Sequence, residues 1–214
     1  MSLLMLFMAL APETFLKSRI YVAYMSTIPF TLIMALAMTL VIIAGEIDLS
    51  FPSVMATGGF VFSNVLTLTG GFLPAAAAAL AAGAFAGAVN GFLVVKIGVP
   101  SIIATIGTQF FWRGAVVLAS GGLAISLSDF RDTFWQHLLT GRFFSLIPSQ
   151  ALWAVFLAVV LWLVLNRHPY GDNLRFSGDN DAAASAMGIP VGRTKVMLFI
   201  LMGIVSAFSG MLVC

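Results

Sequence analysis

The chain is a succession of apolar runs, each near the length that crosses a bilayer, separated by short polar breaks. The runs are Ile20–Ala44, Phe51–Thr69, Phe72–Val95, Ile102–Ala119, the shorter Ala151–Leu165, and Lys195–Cys214. About 20 helical residues at ~1.5 Å each cover the ~30 Å hydrocarbon layer, so repeated runs of this length have the bilayer as their solvent. Composition agrees: 61% of the 214 residues are hydrophobic and 8% are charged, against roughly a quarter charged in soluble domains. No stretch alternates apolar and polar residues like a barrel strand, so the predicted class is all-α, a polytopic integral membrane helix bundle. Residues 1–214 read as a single transmembrane domain in contact with membrane lipid.

Several chemistries are excluded. Cys214 is the only cysteine, and His137 and His168 stand alone, so no metal site, disulfide or redox pair is expected. No nucleophile elbow and no phosphate loop occurs, so no catalytic residue is assigned and any ATP must be bound by another chain. A net charge of +2 gives no reason to expect nucleic acid. The run Met1–Ala11 ends Ala9-Leu10-Ala11 like a signal peptide. It lacks a basic start and is followed by Pro12, so it reads as a stub of a first helix too short to span.

The breaks and small residues indicate how the runs pack. Pro29 predicts a kink, Pro52 falls in a first helical turn where its missing N–H is harmless, and Gly70-Gly71 predicts a tight turn. Gly83, Gly87 and Gly91 recur every four residues, with Ala79 one step earlier, and Gly203, Ala207 and Gly210 repeat the device. Such a stripe lets a second helix approach closely. The alternative is a transport role for these glycines.

Two polar segments belong in water. Arg167–Thr194 contains Asp179–Gly188, where acids precede small alanines, which predicts a short helix with Asp179 at its start. An ordinary solvated loop is the alternative. Gly121–Ser149 carries Phe130, Phe134, Trp135, Leu138 and Leu139 at spacings of one helical face, with Asp129, Arg131, Asp132 and Gln136 mostly opposite. That pattern predicts a helix at the membrane surface, as an interfacial anchor or a landing surface for a partner.

Glu46, Asp48 and Arg113 are the ionisable groups expected nearest membrane depth, where a charge should face protein or a water-filled path. Asp48 and Ser50 lie just before a helix start and read as its cap; the alternative is that Glu46 or Asp48 lines a solute path. Asn90, Thr105, Gln109 and Trp112 are further path candidates; the last three share a helical face whose polar stripe and indole suit a sugar.

Four motifs occur in order. They are Gly45–Ser53, reading GEIDLSFPS after Ala37–Ala44; Asn90–Lys96, reading NGFLVVK; Val99–Thr108, reading VPSIIATIGT; and Ser177–Ile189, reading SGDNDAAASAMGI. From about Thr14 onward the chain resembles the ribose/xylose-type permease family of bacterial ABC importers. It departs where the family usually has glycine at Glu46 and Val-Gly at Phe51-Pro52. The family also has a full first helix and several helices beyond position 214, so the expectation is a fragment or a shortened relative.

The resemblance implies a multi-pass protein of the bacterial inner membrane that moves a monosaccharide or similar small polar solute by alternating access. Pentoses, hexoses and polyols all fit. It implies a second permease chain, a periplasmic or lipoprotein sugar-binding protein, and an ATP-binding subunit that carries ATP and Mg. It identifies Gly178, Asp179, Asn180, Ala182, Ala183, Gly188 and Ile189, within the loop 167–194, as the segment seated in a cleft of that ATPase. Orientation follows from the resemblance, with 167–194 cytoplasmic and 121–149 outside. The basic residues, five inside against four outside, do not decide it. The alternative function is a secondary transporter or channel needing no ATPase.

Overall fold

A computed structural model describes residues 5–6, 10, 12–15, 17–127, 130, 133–143 and 147–214. Most of the Met1–Ala11 stub, and Asp129, Arg131 and Asp132 of the outer segment, lie outside the described residues. After a short turn at Pro12–Phe15 the helices are α1 (Ser18–Ile43), α2 (Phe51–Thr69), α3 (Phe72–Phe92), α4 (Ser101–Ser120), α5 (Phe134–Thr140), α6 (Ser149–Arg167), α7 (Pro169–Asp179), α8 (Asp181–Ala186) and α9 (Val191–Val213). Among the described residues six of these, with α3 extended by a π-turn at Leu93–Ile97, are long and apolar enough to cross a membrane.

The expected spans are present, with shifted ends. The last begins at Val191 rather than Lys195, and α6 runs from Ser149 through Arg167, so the polar connection shrinks to 168–190. α1 runs unbroken through Pro29. Among the described residues one two-residue antiparallel pair, Arg142–Phe143 with Ile147–Pro148, interrupts an otherwise helical fold between α5 and α6.

α9 is the centre of the bundle. It packs against α3, α2 and α1, while α6 lies outside α1 and α4 lies outside α2. Small residues make this possible. A Cβ on Gly83 would run into the Gly203 carbonyl and one on Gly87 into the Phe199 carbonyl, while Gly91 faces Val196. Across α2, Gly58 meets Ala207 at backbone range and Gly210 meets the Met55 carbonyl. The two glycine stripes of the sequence therefore lie in the same helix–helix contacts, where only hydrogen leaves room for the neighbouring backbone.

The ends of the spans form two faces. On one, a Cβ built on Gly45 would lie 3.7 Å from the Gly178 backbone and Ile47 N–H bonds the Ser101 hydroxyl, so the α1–α2 break, the α3–α4 turn and α7 meet. On the other, Trp135 of α5 stacks on Phe72 at the start of α3 with ring centroids 4.4 Å apart.

α5 keeps only part of its expected apolar face. Leu139 is buried and Trp135 packs inward, but Phe134 is 70% exposed. A seven-residue helix cannot turn all its aromatic side chains to one side, because Phe134 and Trp135 are adjacent and diverge by about 100°. Beneath it lies a cavity of 580 Å³ lined by Phe62, Leu66, Phe72, Leu127 and Leu139, among others.

Gly87→Val should lower the thermal unfolding midpoint in detergent by an amount corresponding to about 1–3 kcal/mol or more, since α3 and α9 must part. Gly107, in mid-α4 with nothing within 4 Å of its would-be Cβ, is the control. Gly107→Ala should raise stability by roughly 0.5–1 kcal/mol. Equal midpoints for the two variants would contradict this packing.

Candidate functional site

The site grows from the way α1 stops. Gly45 takes the left-handed conformation (φ 76°), Gly45 N–H bonds Ile42 O, and Glu46 N–H bonds Val41 O, which satisfies the last carbonyls of the helix. The chain then runs non-helically to Ser50 before α2 begins. This segment climbs into the bundle. Its Ser50 is bonded to Asn90, which in turn is bonded to Thr108, and Asn90 and Thr108 are each seven residues from the polar end of their helices, or about 10 Å at helical rise. Non-helical backbone at that depth is tolerated only where protein supplies its hydrogen bonds.

Side chains supply them. Ile47 N–H donates to Ser101 Oγ at 3.2 Å and Leu49 N–H to Thr105 Oγ1 at 3.1 Å. Ser50 donates twice to Asp48 Oδ1, from its N–H at 2.8 Å and from its hydroxyl at 2.6 Å. Asn90 Nδ2 donates to Ser50 Oγ at 2.7 Å, and Thr108 Oγ1 donates to Asn90 Oδ1 at 2.6 Å. Asp48 is 2% exposed, and Ser50, Asn90 and Thr105 are fully enclosed, so the cluster is closed to bulk solvent. Asp48 therefore organises Ser50, the residue before the helix, and Ser50 makes no side-chain cap bond to α2 itself.

Of the path candidates, the structure brings Asp48, Asn90 and Thr105 into one closed cluster. Gln109 and Trp112 lie further along α4, both half-buried, with Trp112 edge-on to Phe85 and Phe111. Glu46 is elsewhere, on the polar face. Arg113 does not face this chain's core; it is exposed on α4. Two stripes pass through Thr105: Ser101/Thr105/Thr108 and Thr105/Gln109/Trp112. The fold buries the first. Ser101 and Thr108 are not among the residues the sequence singles out as path candidates, although their spacing of seven residues on one helix is a usable signal.

The second part of the site is the polar face. Pro169–Asp179 is a helix of its own, started by His168, whose Nδ1 accepts from Tyr170 N–H at 3.1 Å. Gly178 allows this helix to lie against the end of α1, because a Cβ there would overlap the Ile43 carbonyl. The buried Tyr170 hydroxyl donates to Thr194 O at 2.9 Å, and that burial pushes the phenol above its ordinary pKa.

Asp179 does not start the small-residue helix; it is the last residue of α7. Asn180 is the cap of α8, its Oδ1 accepting from the N–H groups of Ala182 and Ala183 at 3.0 Å. Asp181, in the first turn, is the acid that meets the helix dipole. Ala182, Ala183, Met187 and Gly188 are exposed and Ile189 is half-buried, while Ala184 is buried against the bundle. Lys195 of α9 joins this face to the break, lying 2.8 Å from Glu46 Oε1 and 2.7 Å from Asp181 Oδ2. Among the described residues no group of His, Cys, Asp and Glu is placed to hold a metal ion.

The model of the family described as "Branched-chain amino acid transport system / permease component" matches residues 20–214. The chain belongs to this permease family. It is 33% identical over 178 residues to the L-arabinose transport system permease protein AraH of Escherichia coli, covering 83% of this chain and 53% of the relative. It is 34% identical to the Ribose import permease protein RbsC of Escherichia coli, with 84% and 56% covered. It is 33% identical to the Autoinducer 2 import system permease protein LsrC of Klebsiella pneumoniae, with 98% and 59% covered. The chain thus spans about half the length of these relatives. No solved structure matches it. Like other permeases of this family, it is a multi-pass inner-membrane protein.

Stability should separate the roles in the cluster. Asp48→Asn keeps the Oδ1 acceptor and should be nearly neutral, whereas Asp48→Ala leaves both Ser50 donors unpaired and should cost about 1–3 kcal/mol. Asn90→Asp removes the donor to Ser50 and sets a second carboxylate in the enclosed cluster, so it should be the worst of the three. Thermal unfolding in detergent reads the order, and an Asn90→Asp variant as stable as the parent would sink this account.

Proposed function

We propose that the chain belongs to the membrane-spanning subunit of an ATP-driven importer for a monosaccharide or similar small polar solute. It moves the solute by alternating access with a second permease chain. The observation that carries this reading is the family match over residues 20–214. The names of the relatives specify arabinose, ribose and autoinducer 2, which supports a small polyhydroxylated solute over a branched-chain amino acid. This chain carries out no hydrolysis. ATP and Mg belong to a partner ATPase, and a periplasmic or lipoprotein solute-binding protein delivers the cargo to the face that carries α5.

The form of α8 supports the ATPase-docking role of Gly178–Ile189. It is short and capped at Asn180, and it presents alanine and glycine outward, so a partner cleft can close around it without meeting large side chains. On this reading the α7–α8 face is cytoplasmic. The solute path lies along α4 where the half-buried Gln109 and Trp112 border its uncovered side. Arg113 on the same helix supports this, because a charge at that depth costs about 2.5–3.5 kcal/mol in lipid and is tolerated beside water or protein.

Ala183→Trp should weaken ATPase binding at least about tenfold, or about 1.4 kcal/mol, with insertion unchanged. The assay is retention of the ATPase subunit on inside-out vesicles, with right-side-out vesicles as the sidedness control. Binding to right-side-out vesicles would invert the orientation. No binding at all, with solute uptake that ignores ATP, would favour a secondary transporter or channel.

Gln109→Leu should raise the KM for uptake of the transported sugar about tenfold, because an unpaired solute hydroxyl then meets an apolar group. An unchanged KM, per folded complex, would remove Gln109 from the path.

A further inference from the structure

Lys195 lies one turn into α9 and holds two carboxylates from different segments, Glu46 of the break at 2.8 Å and Asp181 of α8 at 2.7 Å. Among the described residues, the Lys195–Asp181 contact is the only side-chain hydrogen bond or ion pair from α8 to a spanning helix. The neighbour of Glu46 is Ile47, whose N–H is held by Ser101 of α4, and the chain then enters the enclosed Asp48–Ser50–Asn90–Thr108 cluster. A continuous line of bonds therefore runs from α8 through one ammonium to the break and on to α3 and α4.

The two arms of this contact differ. The Lys195 and Glu46 side chains are each 11% exposed, whereas Asp181 is 54% exposed. Breaking the inner pair would strand a poorly hydrated carboxylate. Asp181 can move into water at little cost, since an exposed ion pair contributes about 0–1 kcal/mol. One ammonium serves both acids, so when Asp181 leaves, Lys195 turns wholly to Glu46. Release of α8 would therefore change the pull on the break.

We propose that Lys195 is a positioning residue for coupling: its ammonium clasps Asp181 of α8 to Glu46 of the break, so that displacement of α8 is passed to the buried cluster between α3 and α4. This rests on reading α8 as the ATPase-facing helix. The clasp acts through position alone and touches neither nucleotide nor solute.

The test uses the assembled complex with its ATPase subunit in nanodiscs, with Cys214→Ser and Ile47→Cys as the reporter background. The Ile47 side chain is 38% exposed while its N–H is anchored, so a thiol there reports movement of the break. Labelling of this chain by a maleimide is followed by mass, with and without Mg-ATP and vanadate. Nucleotide should change the labelling rate about fivefold or more in the background protein and in Asp181→Glu, which keeps the pair. In Asp181→Asn and in Glu46→Gln the change should fall below about twofold while the ATPase stays bound.

A merely structural ion pair would alter stability but leave the nucleotide response intact. Equal responses in both neutral variants, or no response in the background protein that holds the ATPase, overturn the clasp. Should Asp181→Asn lose the ATPase, the response of Glu46→Gln decides, because Glu46 lies outside α8. Failure of the background protein to bind any ATPase overturns the proposed function itself, and the clasp with it.

Discussion

Backbone N–H and C=O groups below the membrane surface have no water to bond, and the segment from Gly45 to Ser50 leaves the helical ladder at that depth. The rest of the bundle is arranged around this requirement. Ser101, Thr105 and Asp48 take the donors of Ile47, Leu49 and Ser50, while Asn90 completes the cluster by donating to Ser50 and accepting from Thr108. Because acceptors come from α4 and the closing amide comes from α3, the break fixes the spacing of three chain segments at once. An enclosed network is favourable only when complete, since each group left unpaired costs about 1–3 kcal/mol. This makes the GEIDLS segment a joint whose geometry other elements must respect.

Close packing provides the second constraint. In lipid, apolar surface gains little by leaving the hydrocarbon, so helices associate through fit and hydrogen bonds. α9 achieves fit by meeting glycine with backbone on two sides, at Gly83 and Gly87 of α3 and at Gly58 of α2. It is also the helix that carries Lys195. The closely packed central helix thus bears the ammonium that bonds both α8 and the break. The exposed side of α4 stands in contrast, with Gly107 and Gly114 meeting nothing within 4 Å.

The family identity and the polar face describe the same object from two directions. The family model matches the chain across both the break and α8. The geometry connects those two regions through Glu46, Lys195 and Asp181.

Much of this was legible in the residues. The six apolar runs, the all-α class, the glycine stripes and the polar connection after α6 depend on local composition and helical period, which a sequence displays directly. Helix ends were less legible. α9 takes in Arg193 and Lys195 because Lys195 has carboxylate partners, and α8 starts at Asn180 rather than Asp179 because the amide accepts two N–H groups. Which face of α4 is buried was decided only in three dimensions. The Thr105/Gln109/Trp112 stripe and the Ser101/Thr105/Thr108 stripe have equal helical credentials, and the unpaired donors of a break more than fifty residues away chose the second. Periodicity records what a helix can offer, and the partner across the bundle determines which offer is taken.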